Sequence, residues 1–89
     1  MTVFVPTPLR RRCGGKSELQ VEATNVRSAL AHLAINHAPL YGCICDETGA
    51  VRRHINLFVN QDHIRDIHGL DSPLTEQDTV YIFTAVSGG

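Results

Sequence analysis

Four groups of residues in this chain could do chemistry. They are the closing Ser87-Gly88-Gly89, the pair Cys43-x-Cys45, the run Arg10-Arg11-Arg12, and the histidines around His37, His54, His63 and His68. The α-carboxylate of Gly89 is ionised at neutral pH and is a poor electrophile. It reacts only after activation, for instance by ATP as an acyl-adenylate. Two glycines carry no Cβ, so Gly88-Gly89 is the thinnest peptide that can enter a narrow tunnel in another protein. Fraying is the ordinary reading of such a terminus; the chemical reading is a chain that is itself a substrate.

The other three groups carry less. Structural zinc sites pair two ligand motifs at recognisable spacings, and a lone C-x-C beside His37 and His54 does not supply them. Neither a metal site nor a Cys–His catalytic pair is expected. Three cysteines is an odd count, which argues against a disulfide framework and for a reducing, cytoplasmic setting. Arg10-Arg11-Arg12 has no interleaved aromatics and reads as a solvated loop, and His63 and His68 read as solvated loop side chains. A formal net charge of −1 gives no bulk attraction to nucleic acid or to an anionic membrane. No apolar run approaches the ~20 residues of a membrane span, and no signal-peptide pattern opens the chain. With 89 residues, 43% hydrophobic and 19% charged, the composition is that of one soluble domain.

The elements that must position the tail follow from residue alternation. Thr79 to Val86 is rich in β-branched and aromatic residues and predicts a central strand starting just after Asp78. Domain and tail divide as 1–86 and 87–89, with Ser87-Gly88-Gly89 expected to project as a mobile segment. Thr2 to Thr7 predicts the first strand, its far end disturbed by Pro6 and Pro8. Cys13-Gly14-Gly15-Lys16 is a turn signal, and Glu18 to Glu22 is the returning strand of a hairpin. Thr24 is the expected N-cap of one helix from about Asn25 to about His37, with Val26, Ala29, Leu30, Leu33 and Ala34 as its apolar stripe. Pro39 is expected to stop it, and Leu40 to Gly49 to be irregular. His54 to Val59 reads as a strand, followed by a turn at Asn60-Gln61-Asp62, a short strand His63-Ile64-Arg65, and a loop to Asp78.

Strand side chains alternate. If Val3, Val5, Ile55, Leu57, Val59, Val80 and Ile82 face the helix, then Phe4, Phe58, Tyr81 and Phe83 face the other way. Four of the five aromatic residues would then form one patch on the uncovered side of the sheet, and a contiguous exposed apolar patch marks a partner site. The order strand, strand, helix, strand, short strand, strand predicts an α+β fold. It is a β-grasp, or ubiquitin-like, mixed sheet of four to five strands with one main helix on one face and the first and last strands as parallel central neighbours.

The chain resembles the ubiquitin-like sulfur carriers of bacteria, the MoaD/ThiS type that includes the molybdopterin-synthase small subunit and the thiamine-pathway carrier. Within that family it looks most like the cysteine-biosynthesis branch. The resemblance rests on Val5-Pro6-Thr7, Leu9-Arg10, Gly14-Gly15, Asn56, Val59-Asn60, Arg65, Gly69-Leu70, Asp78-x-Val80-x-Ile82 and Ala85-Val86-x-Gly88-Gly89. It implies that the chain is a protein co-substrate rather than an enzyme. Gly89 would be adenylated by an E1-like adenylyltransferase using ATP, and then converted to a thiocarboxylate by a sulfur donor protein or sulfide. The sulfur would pass to an acceptor held by a sulfur-accepting synthase. Gly88 and Ser87 would thread the tail, the aromatic patch would dock on the activating enzyme, and no cofactor would be bound by the chain itself. The alternatives are a small subunit of molybdopterin synthase, and a non-carrier β-grasp binding module whose Gly-Gly is accidental.

Overall fold

The computed structural model describes residues 1–85; the expectations for Val86, Ser87, Gly88 and Gly89 fall outside them. Alternation produces the expected sheet. Strands β1 (Thr2–Phe4), β2 (Glu18–Gln20), β3 (Ile55–Val59), β4 (Asp62–His63) and β5 (Thr79–Thr84) are arranged in the order β2-β1-β5-β3-β4. β5 lies in the middle. It runs parallel to β1, with Val3 opposite Val80 and Phe4 opposite Tyr81, and antiparallel to β3, with Leu57 opposite Ile82 and Phe58 opposite Tyr81. Val3, Val5, Ile55, Leu57, Val59, Val80 and Ile82 are all buried on the helical side. This is the β-grasp architecture.

Helix α1 (Val26–Asn36) buries Val26, Ala29, Leu30 and Leu33, the i, i+3, i+4, i+7 stripe of an amphipathic helix. Its cap is Asn25 rather than Thr24. The Asn25 side chain accepts a hydrogen bond from the Ser28 amide (2.8 Å), and Ser28 Oγ accepts one from the Asn25 amide (3.2 Å). A serine thus completes a reciprocal capping box that ordinarily uses Glu or Gln.

Three expectations need correction. The stretch after Pro39 is not irregular, because a second helix, α2 (Ala38–Ile44), follows α1 almost at once. Pro39 lies in the first turn of α2, where the amide it lacks has no intrahelical partner to lose, so it starts one helix while ending another. Leu40 and Ile44, one turn apart, are fully buried by α2. The arginine run is not a solvated loop but part of a 3-10 helix, Thr7–Cys13, that buries Cys13. Gly14 and Gly15 end this helix with φ of 73° and 81°, backbone conformations that side-chain-bearing residues adopt only under strain. The short strand after β3 is Asp62–His63, and Ile64–Asp66 is a 3-10 turn that buries Ile64. Burying Ile64 turns the chain out of the sheet after two paired residues.

Candidate functional site

The start of β5 is held by two polar side chains. Asp78 accepts hydrogen bonds from the Asn60 amide group (2.9 Å) and from the Thr75 backbone amide (2.8 Å). Asn60 Oδ1 in turn accepts from the Thr79 amide (3.0 Å), and the Asn60 backbone amide donates to the Thr79 carbonyl (2.8 Å). Asn60 adopts φ 55°, which a short polar side chain tolerates best among residues with a Cβ. The bonds from Asn60, then that from Thr75, hold the Asp78 carboxyl below the usual carboxylate range. This clasp ties the β3–β4 turn to the entry of β5 and fixes the register of the strand that leads to the tail.

β5 then presents its two faces unequally. Val80 and Ile82 are buried, whereas Tyr81 is half-buried and Phe83 is 45% exposed. Phe4 and Phe58, on the two flanking strands, are half-buried on the same side. The four rings form a continuous row. Phe4 lies 5.6 Å from Tyr81, Tyr81 stacks at 6.1 Å on Phe83, and Phe83 meets Phe58 edge-on at 5.5 Å. These separations fall within the attractive range for aromatic pairs. The face predicted to carry Phe4, Phe58, Tyr81 and Phe83 does carry them, and the helices cover the other.

Two further side chains border the row and were not legible in the sequence. The Arg10 guanidinium sits 5.7 Å above the Phe4 ring while its Nε donates to the Val5 carbonyl (2.9 Å), a cation–π arrangement at one end of the row. Only the 3-10 turn of Thr7–Cys13 brings Arg10 back over β1. At the other end His63 meets Phe58 edge-on at 5.0 Å. Its Nδ1 accepts from the Arg65 amide (3.1 Å), so Nε2 carries the proton of the neutral ring and donates to Asn56 Oδ1 (3.0 Å). His63 is therefore a wedged strand residue rather than a solvated loop side chain, while His68 is exposed.

The remaining reactive residues do not converge. Cys13 and Cys45 are buried and Cys43 is half-buried. Burial first of all pushes the Cys45 thiol up, against a hydrogen bond from Tyr41 that lowers it. A buried thiol disfavoured as thiolate is a packing residue rather than a nucleophile. Among the described residues no three His, Cys, Asp or Glu side chains are grouped to hold a metal ion, and no helix is long and apolar enough to cross a membrane. What the described residues offer is a rigid aromatic face on the strand that leads to residues 86–89.

Comparison with known proteins agrees with this arrangement. The model of the ThiS family matches residues 3–89. Sulfur carrier protein CysO of Mycobacterium tuberculosis (strain ATCC 25618 / H37Rv) is 29% identical over 91 residues, covering 100% of this chain and 98% of that protein. The chain is similar to one in the crystal structure of the Amycolatopsis orientalis BexX/CysO complex, with TM-score 0.88 and 31% identity, covering 99% of this chain and 98% of that one. Haloferax volcanii SAMP1 shares the fold, with TM-score 0.82 and 24% identity over 100% of this chain and 98% of that one.

Proposed function

Since this chain belongs to the ThiS family and is a sulfur carrier rather than an enzyme, we propose that Gly89 is the residue that carries the sulfur, as a C-terminal thiocarboxylate. An activating partner transfers AMP from ATP to the Gly89 carboxylate and releases pyrophosphate. Sulfide, or a sulfur donor protein acting with a reductant, then attacks the acyl carbon. The carbon–oxygen bond to the phosphate breaks, AMP leaves, and the thiocarboxylate remains. At the acceptor the thiocarboxylate sulfur displaces a leaving group from an electrophilic carbon, giving an acyl-linked adduct. Water then attacks the Gly89 acyl carbon, returning the carboxylate and leaving the sulfur on the acceptor.

The observation that carries this reading is the position of Gly88-Gly89 in the chain order, just beyond the central strand. Residues 86–89 end in Gly88-Gly89 and come one residue, Ala85, after β5, which is paired on both sides and clasped at its entry by Asn60 and Asp78. A rigid strand with a bare carboxyl beyond it suits delivery into a partner's active site. The aromatic row of Phe4, Tyr81, Phe83 and Phe58 lies on that same strand and its neighbours, and serves as the docking face for the adenylyltransferase. Similarity to CysO favours cysteine biosynthesis as the destination of the sulfur.

A second reading makes the chain the small subunit of a stable synthase, as in molybdopterin synthase. The A. orientalis structure, which holds a CysO in complex with BexX, favours a lasting protein partner. The test is the intact mass of the chain after incubation with ATP, sulfide and the adenylating enzyme of its source organism. One oxygen-to-sulfur exchange at the C-terminus is expected. No ATP-dependent change would sink the carrier mechanism, and stoichiometric co-purification of a large subunit would favour the synthase.

A further inference from the structure

A shallow groove at the β3–β4 edge carries charge that the carrier chemistry does not use. Its floor is apolar, built from Val51, Ile55, Ile64 and Leu70, and its rim holds the guanidinium groups of Arg52, Arg53 and Arg65. No Asp or Glu lines it, although acidic residues outnumber basic ones in the chain as a whole, nine to eight. The three cations are neutralised unequally: the Arg52 charge acts on the Asp46 carboxylate outside the groove. Arg52 Nε donates to the Gly42 carbonyl (2.9 Å). Arg65 is 74% exposed and meets Asp66 only at 3.9 Å, across solvent, where such pairs contribute little. Arg53 is exposed and makes no ion pair or side-chain hydrogen bond among the described residues.

The groove also has a telling position. The Ala85 amide donates to the His54 carbonyl (2.7 Å), so the last described residue lies beside the residue that follows Arg53. His63 lines the groove and also touches Phe58, so groove and aromatic row are continuous around the sheet edge. We propose that this groove is a second docking surface for the activating enzyme, receiving an acidic segment of that protein with an apolar side chain for the floor. The inference rests on the carrier reading above. A protein partner fits better than a nucleic acid: the three arginines share the groove with the apolar Val51, Ile55, Ile64 and Leu70, and none of the four aromatic rings lies in it.

The test is ATP–pyrophosphate exchange by the adenylating enzyme, with the chain as variable substrate, for the wild type and for Arg53→Glu/Arg65→Glu. Both side chains are exposed, so the variant should melt as the wild type does. At low salt the variant is expected to raise KM about tenfold or more with kcat within about twofold, as rim charges act on encounter. The difference should shrink as salt rises, because a Debye length of about 10 Å at 0.1 M screens exposed charges. Wild-type activation with an unchanged variant KM and salt slope would overturn the groove and leave the carrier reading standing. Loss of polyuridylate binding in the variant with unchanged KM would assign the rim to nucleic acid, also overturning it. No exchange with the wild type would remove the carrier reading and this inference together.

Discussion

Replacing Phe83 with Asp puts the docking role of the aromatic row to a quantitative test. Phe83 is 45% exposed, and a phenylalanine side chain offers on the order of 200 Å². A partner covering the exposed part would remove about 90 Å² from water, which at about 25 cal/mol per Å² is worth roughly 2 kcal/mol. Asp would forfeit that and add a desolvated carboxylate, so the complex should weaken at least about 30-fold, each 1.4 kcal/mol being about tenfold. The isolated fold should survive. Phe83 packs edge-on against Phe58 and stacks on Tyr81, contacts worth about 0.5–1.5 kcal/mol each, against a total near 5 kcal/mol or more for a small domain. Thermal melting followed by circular dichroism reports the fold, and KM for the chain in ATP–pyrophosphate exchange reports docking. A folded Phe83→Asp variant with wild-type KM would refute the argument, because a ring covered by the partner cannot be indifferent to a carboxylate put in its place.

The other predictions are more direct. Deleting Gly88-Gly89 should abolish adenylation with no appreciable change in melting temperature, and Gly88→Val should be nearly as damaging; four residues beyond Ala85 reach at most about 13 Å at ~3.3 Å each, and a Cβ-branched side chain would widen the part that enters a tunnel. A drop in melting temperature on deletion would make the tail structural. Asp78 has a folded pKa below its unfolded value, so its contribution is complete above about pH 4 and is lost as pH falls through the folded pKa. Asp78→Asn should therefore flatten the acid limb of a stability–pH profile, and an unchanged limb would show that the clasp is not coupled to folding. Ile44→Ala should cost about 2–5 kcal/mol in urea unfolding, since Ile44 is fully buried; a cost below about 1 kcal/mol would mean that α2 is peripheral to the core.

Much of this fold is written in alternation. Val3-Phe4-Val5, Ile55 to Val59 and Val80 to Phe83 each show a period of two, and that alone sorts the buried face from the aromatic one. Punctuation was harder to read. Pro39 stops α1 and opens α2, and a proline has the same local meaning in both roles; what decides is whether the residues after it, here Leu40 and Ile44, find a core to enter. Thr24 and Asn25 are both good caps, and Ser28 settles the choice by bonding back to Asn25, a pairing outside the usual Glu or Gln signature. Arg10 reaches Phe4 only because the 3-10 turn of Thr7–Cys13 folds it back, and Asn60 meets Asp78 across 18 residues, so no spacing rule reveals either contact. The reading of Gly88-Gly89 rests on residue type alone, outside the described residues, and stands or falls with the activation assay.

The central position of β5 also decides how the protein answers a pull. A partner that grips the C-terminus and then releases or repositions it loads the chain along the axis of β5. The strand is bonded laterally to β1 on one side and β3 on the other, so such a load falls on both ladders in shear. Those bonds must fail together and cannot be peeled off one at a time. A C-terminal segment attached to an edge strand would unzip its own anchor when tugged; here residues 86–89 come after a strand paired on both sides, so a load applied there is resisted by two ladders instead of one.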